Sequence, residues 1–406
     1  MPAPERRSRA DLLVAALIVL VVVVAVVVVW QRSDAHSTAS ETAKTPVSQA
    51  PTALSVPPSV QEKWRAHSSA ADAPIVTDGA VVTADDGEIV GHDPADGAPV
   101  WRYRRDAPLC GAIGAWGTAV AVYRDARGCS QVTELAGADG RRTAQRTSYA
   151  DDTVTLSEDG TYVLSQGPTR LELWRSDLVR TLEYGYVDAP VNPKSQPRSG
   201  CTLHSSASSG SRLAVLERCP GEAADRLSVL NTNPKDPTKP EEYGSAVLAD
   251  LVDAKSDGRV LAASGDRVAV YVPGDGAARG PYIGIYDSGI SELARYPLSE
   301  ELPADAVAES VPGAFLLWTG AAVVALRAAD LAPLWSALDA IGPGTAMAGS
   351  VIVPVRDAIA VINPMTGKET ARLPVDRTDK LTGPIRSAVA GNLILEQRGD
   401  ELVALG

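Results

Sequence analysis

Short apolar segments separated by polar turns recur along most of the chain, and residues 74–101 show this pattern most clearly. They read PIVTDGAVVTADDGEIVGHDPADGAPVW. Apolar and polar residues alternate between turns at TDG, DDG and DPADG, as they do in strands that bury one face. We therefore predict four short antiparallel strands in this segment. One small sheet cannot bury both of its faces alone, so the pattern favours a repeated unit.

The repeat is marked by a glycine between the first and second strands of each unit. Consecutive glycines lie 36 to 55 residues apart, which brackets the roughly 40–50 residues of a four-stranded propeller blade and exceeds the roughly 20–29 of a leucine-rich repeat. Glycine can adopt the positive φ that a tight turn requires there. The pattern predicts an all-β, eight-bladed β-propeller, with seven blades as the alternative. The glycines are Gly79, Gly117, Gly160, Gly210, Gly265, Gly313, Gly349 and Gly391.

Polar turns after the third strand form a second mark, as at residues 92–97 and 362–367. Trp101 and Trp335 follow such turns where a blade-closing aromatic residue is expected. Pattern and spacing resemble the pyrroloquinoline-quinone-type (PQQ-type) β-propeller repeat over residues 60–406. That family is known from quinoprotein alcohol dehydrogenases and from the BamB-type scaffold lipoprotein of outer-membrane assembly. The resemblance implies the propeller fold, and it is compatible with either activity.

An apolar segment precedes the repeats. Residues 12–30 are 19 residues without a charge, close to the roughly 20 that a helix needs to cross a membrane. Three arginines precede the segment and Arg32 follows it, so the positive-inside rule predicts a cytoplasmic tip, residues 1–11, and an extracytoplasmic propeller. The alternative is a cleaved signal peptide, but the apolar segment is long for one and no A-x-A site follows. Enrichment in Ala, Val, Arg and Asp is typical of a high-GC, actinobacterial-like source.

Residues 31–59 are rich in Ser, Thr, Ala and Pro and are predicted to form a disordered linker that holds the propeller off the membrane. The next segment, 60–66, reads VQEKWRA and has the pattern of a closing strand, with Trp64 in the place of Trp101. The last blade, 382–406, ends one strand short. Pairing the two segments would close the ring and remove an open sheet edge.

Four cysteines, at positions 110, 129, 201 and 219, are expected to form disulfides in an oxidising compartment. Three connectivities are possible. In the blade pattern, Cys110 and Cys201 each open a first strand, whereas Cys129 and Cys219 each lie between the second and third strands of the same blade. Those places share one face of a propeller, so the pairs 110–129 and 201–219 are favoured. A zinc site is the alternative, but there is no C-x-x-C and the four histidines are scattered.

Candidate chemistry is sparse. PQQ enzymes of the resembled family use two adjacent cysteines and a calcium site of Glu, Asn and Asp side chains. Here no two cysteines are adjacent and no such calcium set aligns, so we assign no catalytic, cofactor-binding or metal-binding residue and predict no cofactor. Asp85-Asp86-Gly87 and Arg398-Gly399-Asp400 are interpreted as tight turns. A net charge of −12 argues against nucleic acid as a partner.

Three long segments, 186–199, 231–243 and 273–282, interrupt the blade pattern and are candidates for partner contacts. We therefore predict a non-catalytic, single-pass membrane protein of the bacterial cell envelope. Its extracytoplasmic propeller is expected to act as a scaffold that binds another envelope protein or a cell-wall polymer. The alternative is an enzyme, either a divergent quinoprotein or another activity in the central channel. Small apolar residues around the axis would favour the scaffold.

Overall fold

The structure is a computed structural model that describes residues 8–31, 33, 36–252, 257–276, 279–377 and 381–406. These residues form one helix and eight antiparallel sheets, seven of four strands and one of five. Each sheet is one blade. In six blades the strands follow the chain from the axis to the rim, whereas in the first and last blades the outermost strand comes from the N-terminal side of the repeats. The eight-bladed propeller predicted from the repeat is confirmed.

The first four blades run from residue 75 to residue 247. Blade 1 contains β3 (Ile75–Val76), β4 (Val81–Asp85), β5 (Glu88–His92) and β6 (Pro99–Arg105), and blade 2 contains β7 (Leu109–Ala115), β8 (Thr118–Asp125), β9 (Gly128–Ala136) and β10 (Arg142–Thr147). Blade 3 contains β11 (Thr155–Glu158), β12 (Val163–Gln166), β13 (Arg170–Trp174) and β14 (Arg180–Gly185), and blade 4 contains β15 (Thr202–Ser208), β16 (Arg212–Arg218), β17 (Arg226–Asn231) and β18 (Glu242–Val247).

The other four blades extend to the C-terminus. Blade 5 contains β19 (Arg259–Ser264), β20 (Arg267–Val272), β21 (Tyr282–Asp287) and β22 (Glu292–Pro297), and blade 6 contains β23 (Ala308–Val311), β24 (Ala314–Trp318), β25 (Ala322–Arg327) and β26 (Pro333–Leu338). Blade 7 contains β27 (Thr345–Met347), β28 (Ser350–Val355), β29 (Ala358–Ile362) and β30 (Glu369–Pro374), and blade 8 contains β31 (Arg386–Ala390), β32 (Leu393–Arg398), β33 (Glu401–Leu405) and, from the N-terminal side, β2 (Glu62–His67).

The ring closes by pairing the two ends of the propeller. Strand β2 runs antiparallel to β33, with Trp64 opposite Ala404 and Ala66 opposite Leu402. The last blade thereby gains its outer strand, and no unpaired edge is left at this seam. Blade 8 is thus built from both ends of the propeller sequence.

The repeated glycine has a positive φ in every blade. All eight glycines between first and second strands have positive φ, from 57° to 145°, a region that side chains with a Cβ rarely enter. These turns and the turns between third and fourth strands lie on one face of the ring, which we call the turn face. The opposite face, with the other hairpins and the blade-to-blade connections, is the connection face.

The core lies between neighbouring blades. The cluster between blades 1 and 2 packs Ile75, Ile89 and Trp101 against Tyr123 and Leu135, and similar clusters fill the seams between blades 4 and 5, 6 and 7, and 7 and 8. Central strands are buried on both faces because each blade is covered by two neighbours. Small and β-branched residues therefore dominate the core, and the chain has a single Phe.

Helix α1 (Arg9–Gln31) contains the apolar segment. It begins where Ser8 and Asp11 cap each other: the Asp11 amide donates to Ser8 Oγ at 3.2 Å and the Ser8 amide to Asp11 Oδ2 at 2.8 Å, a reciprocal pattern that satisfies free donors at a helix start. None of its residues is buried, and its mean hydropathy reaches 3.7. The helix is long and apolar enough to cross a membrane, and a signal sequence would have the same character.

Most of the segment predicted to be a disordered linker is instead packed against the propeller. Residues 36–59, which we call the belt, pack on the propeller. Strand β1 (Thr38–Glu41) pairs with β6 as a fifth strand of blade 1, and farther along the Val47 amide donates to Ala138 O at 2.8 Å. Ala53 is buried against blades 7 and 8. The belt is ordered because the rim of blade 1 offers unpaired backbone groups and the turn face offers apolar gaps, neither of which shows in the belt's own sequence.

Candidate functional site

Three tryptophans, each the third residue of an outer strand, donate a hydrogen bond to the polar turn of the next blade. Trp64 Nε1 donates to Pro94 O at 2.9 Å, Trp101 Nε1 to Gly137 O at 3.0 Å and Trp335 Nε1 to Pro364 O at 2.7 Å. The turn glycine lies against each indole: a Cβ on Gly97, Gly140 or Gly367 would come within 2.5 to 2.6 Å of ring or Cβ atoms of the tryptophan. Trp64 therefore makes the same contact between blades 8 and 1 that Trp101 makes between blades 1 and 2.

All four cysteines are in disulfides near the connection face. Cys110 pairs with Cys129, with 6.0 Å between their Cα atoms, and Cys201 pairs with Cys219, with 4.1 Å between theirs. Each bond joins the start of a first strand to the hairpin between the second and third strands of the same blade. Both pairs agree with the connectivity favoured by the sequence.

A buried carboxyl group that the sequence analysis missed lies beside the second disulfide. The two sulfurs of Cys201 and Cys219 and one carboxylate oxygen of Glu217 all lie within 4.8 Å of one another. Because the sulfurs are bonded to each other, this trio is not a metal site in the present form. The available signal was the spacing Glu217-x-Cys219, since alternate residues of a strand point to the same face.

Polar side chains hold the carboxyl group of Glu217. Its Oε1 accepts hydrogen bonds from Tyr184 Oη at 2.7 Å and Ser228 Oγ at 2.6 Å, and Arg198 Nε lies 3.4 Å away. Among the described residues its Oε2 has no hydrogen-bond partner, although the residue is fully buried. Burial raises the pKa of Glu217, against the opposing effect of these donors. The site keeps a carboxyl group in its neutral form more readily than water would.

The strands around the axis are of two kinds. Those of blades 2, 5 and 8 are rich in Gly, Ala and Val, whereas those of blades 3 and 6 carry Ser and Glu and that of blade 4 is rich in Ser. Glu309 of blade 6 forms an ion pair with Arg386 of blade 8. Burial and the nearby charges of Asp159 and Glu309 raise the pKa of Glu158, which accepts a hydrogen bond from the Gly160 amide at 2.6 Å. The axis is thus partly apolar and partly acidic.

The turn face carries an apolar groove beside the belt. A cavity of about 570 Å³ lies between residues 45–50 of the belt, the turn at Asp93, Pro94 and Ala95 of blade 1, and Asn392 and Leu393 of blade 8. Two large apolar side chains on the same face are almost fully in solvent: Leu54 of the belt is 96% exposed and Met365 in the turn of blade 7 is 82% exposed. Such side chains are typical of contact surfaces when they cluster.

The first two long segments, 186–199 and 231–243, do not extend as separate loops but pack on each other. Asn192 Nδ2 donates to Thr238 Oγ1 at 2.8 Å, and Gln196 Nε2 donates to Thr238 O at 3.2 Å. The Glu183 amide, on the outer strand of blade 3, donates to Pro237 O at 2.9 Å. The two segments form one module at the rim of blades 3 and 4. The third segment, 273–282, includes two residues outside the described part of the chain.

Two short motifs are turns, as interpreted from the sequence. Asp85 and Glu88 flank a hairpin, and Arg398 and Glu401 flank another. The side chain of Arg398 is 1% exposed and bonds to Glu396, so the Arg-Gly-Asp sequence does not present its arginine to solvent.

A histidine joins the two sides of the closing seam on the connection face. His67 Nδ1 lies 3.1 Å from Glu401 Oε1 of blade 8, and His67 Nε2 lies 3.5 Å from Asp85 Oδ1 of blade 1. The hydrogen bond to Glu401 is the main cause that raises the pKa of His67. Ser69 Oγ donates to Asp85 and not to the imidazole, so the group is an ion-pair network and not a nucleophile with its base.

No protein-family model and no curated protein sequence matches this chain. Solved structures do. BamB from Moraxella catarrhalis matches with a TM-score of 0.51 at 12% identity, over 85% of this chain and 99% of that one. Sqt1 from Saccharomyces cerevisiae matches with a TM-score of 0.53 at 10% identity, over 88% and 98%. The computationally designed Ika8 protein matches with a TM-score of 0.52 at 14% identity, over 88% and 99%. These similarities show a shared propeller fold.

Proposed function

We propose that this protein is a membrane-anchored scaffold of the bacterial cell envelope, with a PQQ-type propeller outside the membrane that binds another envelope protein. The observation that carries the proposal is the junction between α1 and the propeller. Six residues, 32–37, separate the end of α1 from β1, which is already paired with the rim of blade 1. The apolar helix and the propeller are therefore built as one short-tethered unit.

The location outside the membrane is supported by the disulfides and by the charges around α1. Two disulfides join all four cysteines, and disulfides persist in oxidising compartments. Arginines at positions 6, 7 and 9 precede the apolar segment, which favours a cytoplasmic N-terminus.

The turn face is the surface we propose for the partner. It carries the apolar groove beside the belt and the exposed side chains of Leu54 and Met365. Large apolar side chains in solvent lose water contact when a partner covers them, which contributes roughly 25 cal/mol per Å² of buried apolar surface. BamB-type members of the resembled family act as scaffolds, which agrees with this use of the fold.

Fractionation tests the membrane anchor, and crosslinking tests the partner surface on the turn face. The intact chain should stay in alkaline-washed membranes, whereas a soluble form that begins near Ser37 would contradict the anchor. A photoactivatable amino acid at Leu54 or Met365 of the full chain should give a discrete protein adduct in native membranes. The matched control is Val252, which is 64% exposed in the connection between blades 4 and 5. Equal labelling at all three sites would contradict a partner on the turn face, and an adduct with cell-wall polymer alone would change its identity.

An enzyme acting at the axis is the second candidate, and Glu158 is the observation that favours it. Its carboxyl group lies at the end of the inner strand of blade 3 and its pKa is raised, and perturbed carboxyl groups are frequent at functional sites. Screening the purified protein with quinones, calcium and sugar or alcohol substrates, with Glu158→Gln as the comparison, tests this candidate. Turnover that the substitution abolishes would favour the enzyme over the scaffold.

A further inference from the structure

We propose that Cys201, Cys219 and Glu217 form a thiol–disulfide exchange site that oxidises a dithiol in a partner protein. The proposal goes beyond the scaffold function and does not depend on the anchor. It rests on the placement of one buried carboxyl group against one of the two disulfides.

The geometry places a proton carrier at the sulfurs. Both sulfurs and a carboxylate oxygen of Glu217 lie within 4.8 Å of one another. Tyr184 and Ser228 hold one carboxylate oxygen by hydrogen bonds, while Oε2 has no hydrogen-bond partner in the part of the chain that the structure describes. A fully buried carboxylate oxygen without a partner costs free energy, and a proton shared with a newly formed thiolate would remove that cost.

The two cysteine residues differ in their exposure to solvent. Cys201 is 7% exposed, whereas Cys219 is half-buried. Pro220 and Gly221, which follow Cys219, are exposed, and no atom lies within 4 Å of a Cβ built on Gly221. An incoming thiol can therefore approach Cys219, and Cys201 is the sulfur that leaves, inside the protein.

Charged and polar groups from each neighbouring element act on Glu217. Arg198, from the connection before blade 4, and Arg226 of β17 favour its ionised form, and Glu242 of β18 favours its neutral form. The hydroxyl groups of Tyr184 and Ser228 also favour the ionised form, and burial is the largest effect in the opposite direction. The carboxyl group therefore holds a proton to higher pH than an exposed glutamate, yet has donors ready to stabilise it once the proton has left.

The reaction is balanced with a dithiol as the only co-reactant. A thiolate of the dithiol attacks Cys219 Sγ, the Cys201–Cys219 bond breaks, and a mixed disulfide forms. Cys201 leaves as a thiolate and takes the proton of Glu217. The second thiol of the partner then attacks the mixed disulfide, releasing Cys219 as a thiolate that is protonated by water, and Glu217 regains a proton from solvent. The partner loses two electrons and two protons, and the two cysteines gain them.

The other disulfide is an internal control. Among the described residues, Cys201, Glu217 and Cys219 are the one group of this kind that includes sulfurs, so Cys110–Cys129 has no comparable carboxyl neighbour. Both bonds close loops of similar length, with sequence separations of 19 and 18 residues, which makes their reduction directly comparable.

Reduction of the purified full chain by dithiothreitol tests the proposal. Differential alkylation and peptide mass spectrometry give one rate constant for each disulfide. The ratio of the two rate constants removes the effect of dithiothreitol ionisation, which changes with pH but acts on both disulfides equally. Because general acid catalysis is typically worth about 10²–10⁴-fold, we expect Cys201–Cys219 to be reduced at least tenfold faster than Cys110–Cys129. The ratio should fall as the pH rises and Glu217 loses its proton. Glu217→Gln should lower the ratio at least tenfold, and Glu217→Asp should restore part of it.

Glu242→Gln is the matched comparison, since Glu242 also contacts Arg198, at 3.3 Å, but is not part of the sulfur group. Because Glu242 favours the neutral form of Glu217, this variant should keep the wild-type ratio at low pH and lower the pH at which the ratio falls. A wild-type ratio that is near one or independent of pH would overturn the proposal, and so would a Glu217→Gln variant that keeps the wild-type ratio. The wild-type pH profile decides the matter even if the Glu217 variants do not fold.

Discussion

Gly97 has a positive φ of 74°, and a Cβ at this position would lie 2.6 Å from the indole of Trp64. We expect Gly97→Ala to lower the free energy of unfolding by about 1–2 kcal/mol for the left-handed backbone and by more because the indole must move. Gly313 is the matched control: its φ is 83°, but a Cβ at this position would have no atom within 4 Å. Gly313→Ala should show the backbone cost alone. Equal losses in chemical denaturation would show that the glycine does not seat the tryptophan.

His67 should make the closing seam sensitive to pH. Since the hydrogen bond to Glu401 raises the pKa of His67 above its ordinary 6.5, its contribution to stability is fully present below that value and is lost as the pH rises through the raised pKa. The wild-type melting temperature should therefore exceed that of His67→Gln at pH 5.5, and the difference should shrink by pH 8.5. The effect is small because both partners are partly in solvent. A constant difference across this range would contradict the assignment.

Single residues were predictable where their role depends on local spacing. The turn glycines and Trp64 occupy fixed places in a repeated unit, so their places in the blade could be derived from the repeat. Glu217 and His67 could not, because their importance comes from neighbours that are distant in sequence: His67 meets Glu401, which is 334 residues away. Alternation shows which face a side chain shares, but not what lies opposite.

The same distinction between local pattern and distant neighbours applies to whole strands and loops. Blade strands were predictable because hydrophobic alternation and turn residues are properties of each strand. The belt was not, because β1 has no apolar alternation of its own and is held by hydrogen bonds to the edge of β6. Likewise, the segments 186–199 and 231–243 were identified as insertions, but their packing on each other depends on side chains such as Asn192 and Thr238.

A deletion series tests the belt and the closing strand. Removing residues 1–35 should leave the stability of the propeller unchanged, because α1 buries no residue. Removing residues 1–59 should cost about 2 kcal/mol or more, since the hydrogen bonds of β1 and the burial of Ala53 are lost. Removing residues 1–67 should add about 3–5 kcal/mol for Trp64 and expose the edge of β33, which promotes aggregation.

Denaturation midpoints and size-exclusion chromatography read out the series. If removal of residues 1–59 costs nothing, the belt is only a tether. If the forms lacking residues 1–59 and 1–67 have the same denaturation midpoint and both stay monomeric, β2 does not close the ring.

For the whole molecule, the repeat was enough to predict the propeller architecture. The distance between the propeller and α1 could be found only from the structure. A disordered linker of 29 residues, 31–59, would leave the domain free to move away from a membrane. The belt instead leaves six residues, 32–37, between α1 and β1, which span at most roughly 20 Å when fully extended. The rim of blade 1 must therefore lie close to the end of α1.

With α1 as the proposed membrane anchor, this geometry predicts which rim of the propeller meets lipid. The rim of blades 1 and 2 also carries exposed arginines, including Arg104 and Arg142, which anionic headgroups attract. With the full chain in nanodiscs, a photoactivatable amino acid at Gln145, which is exposed on β10, should label phospholipid. The matched control is Leu293, which is 46% exposed on the outer strand of blade 5, across the ring from blade 1, and it should label little. Equal labelling at the two positions would show that the belt does not hold this rim at the membrane, and a chain that fails to enter the nanodisc would instead argue against the anchor itself.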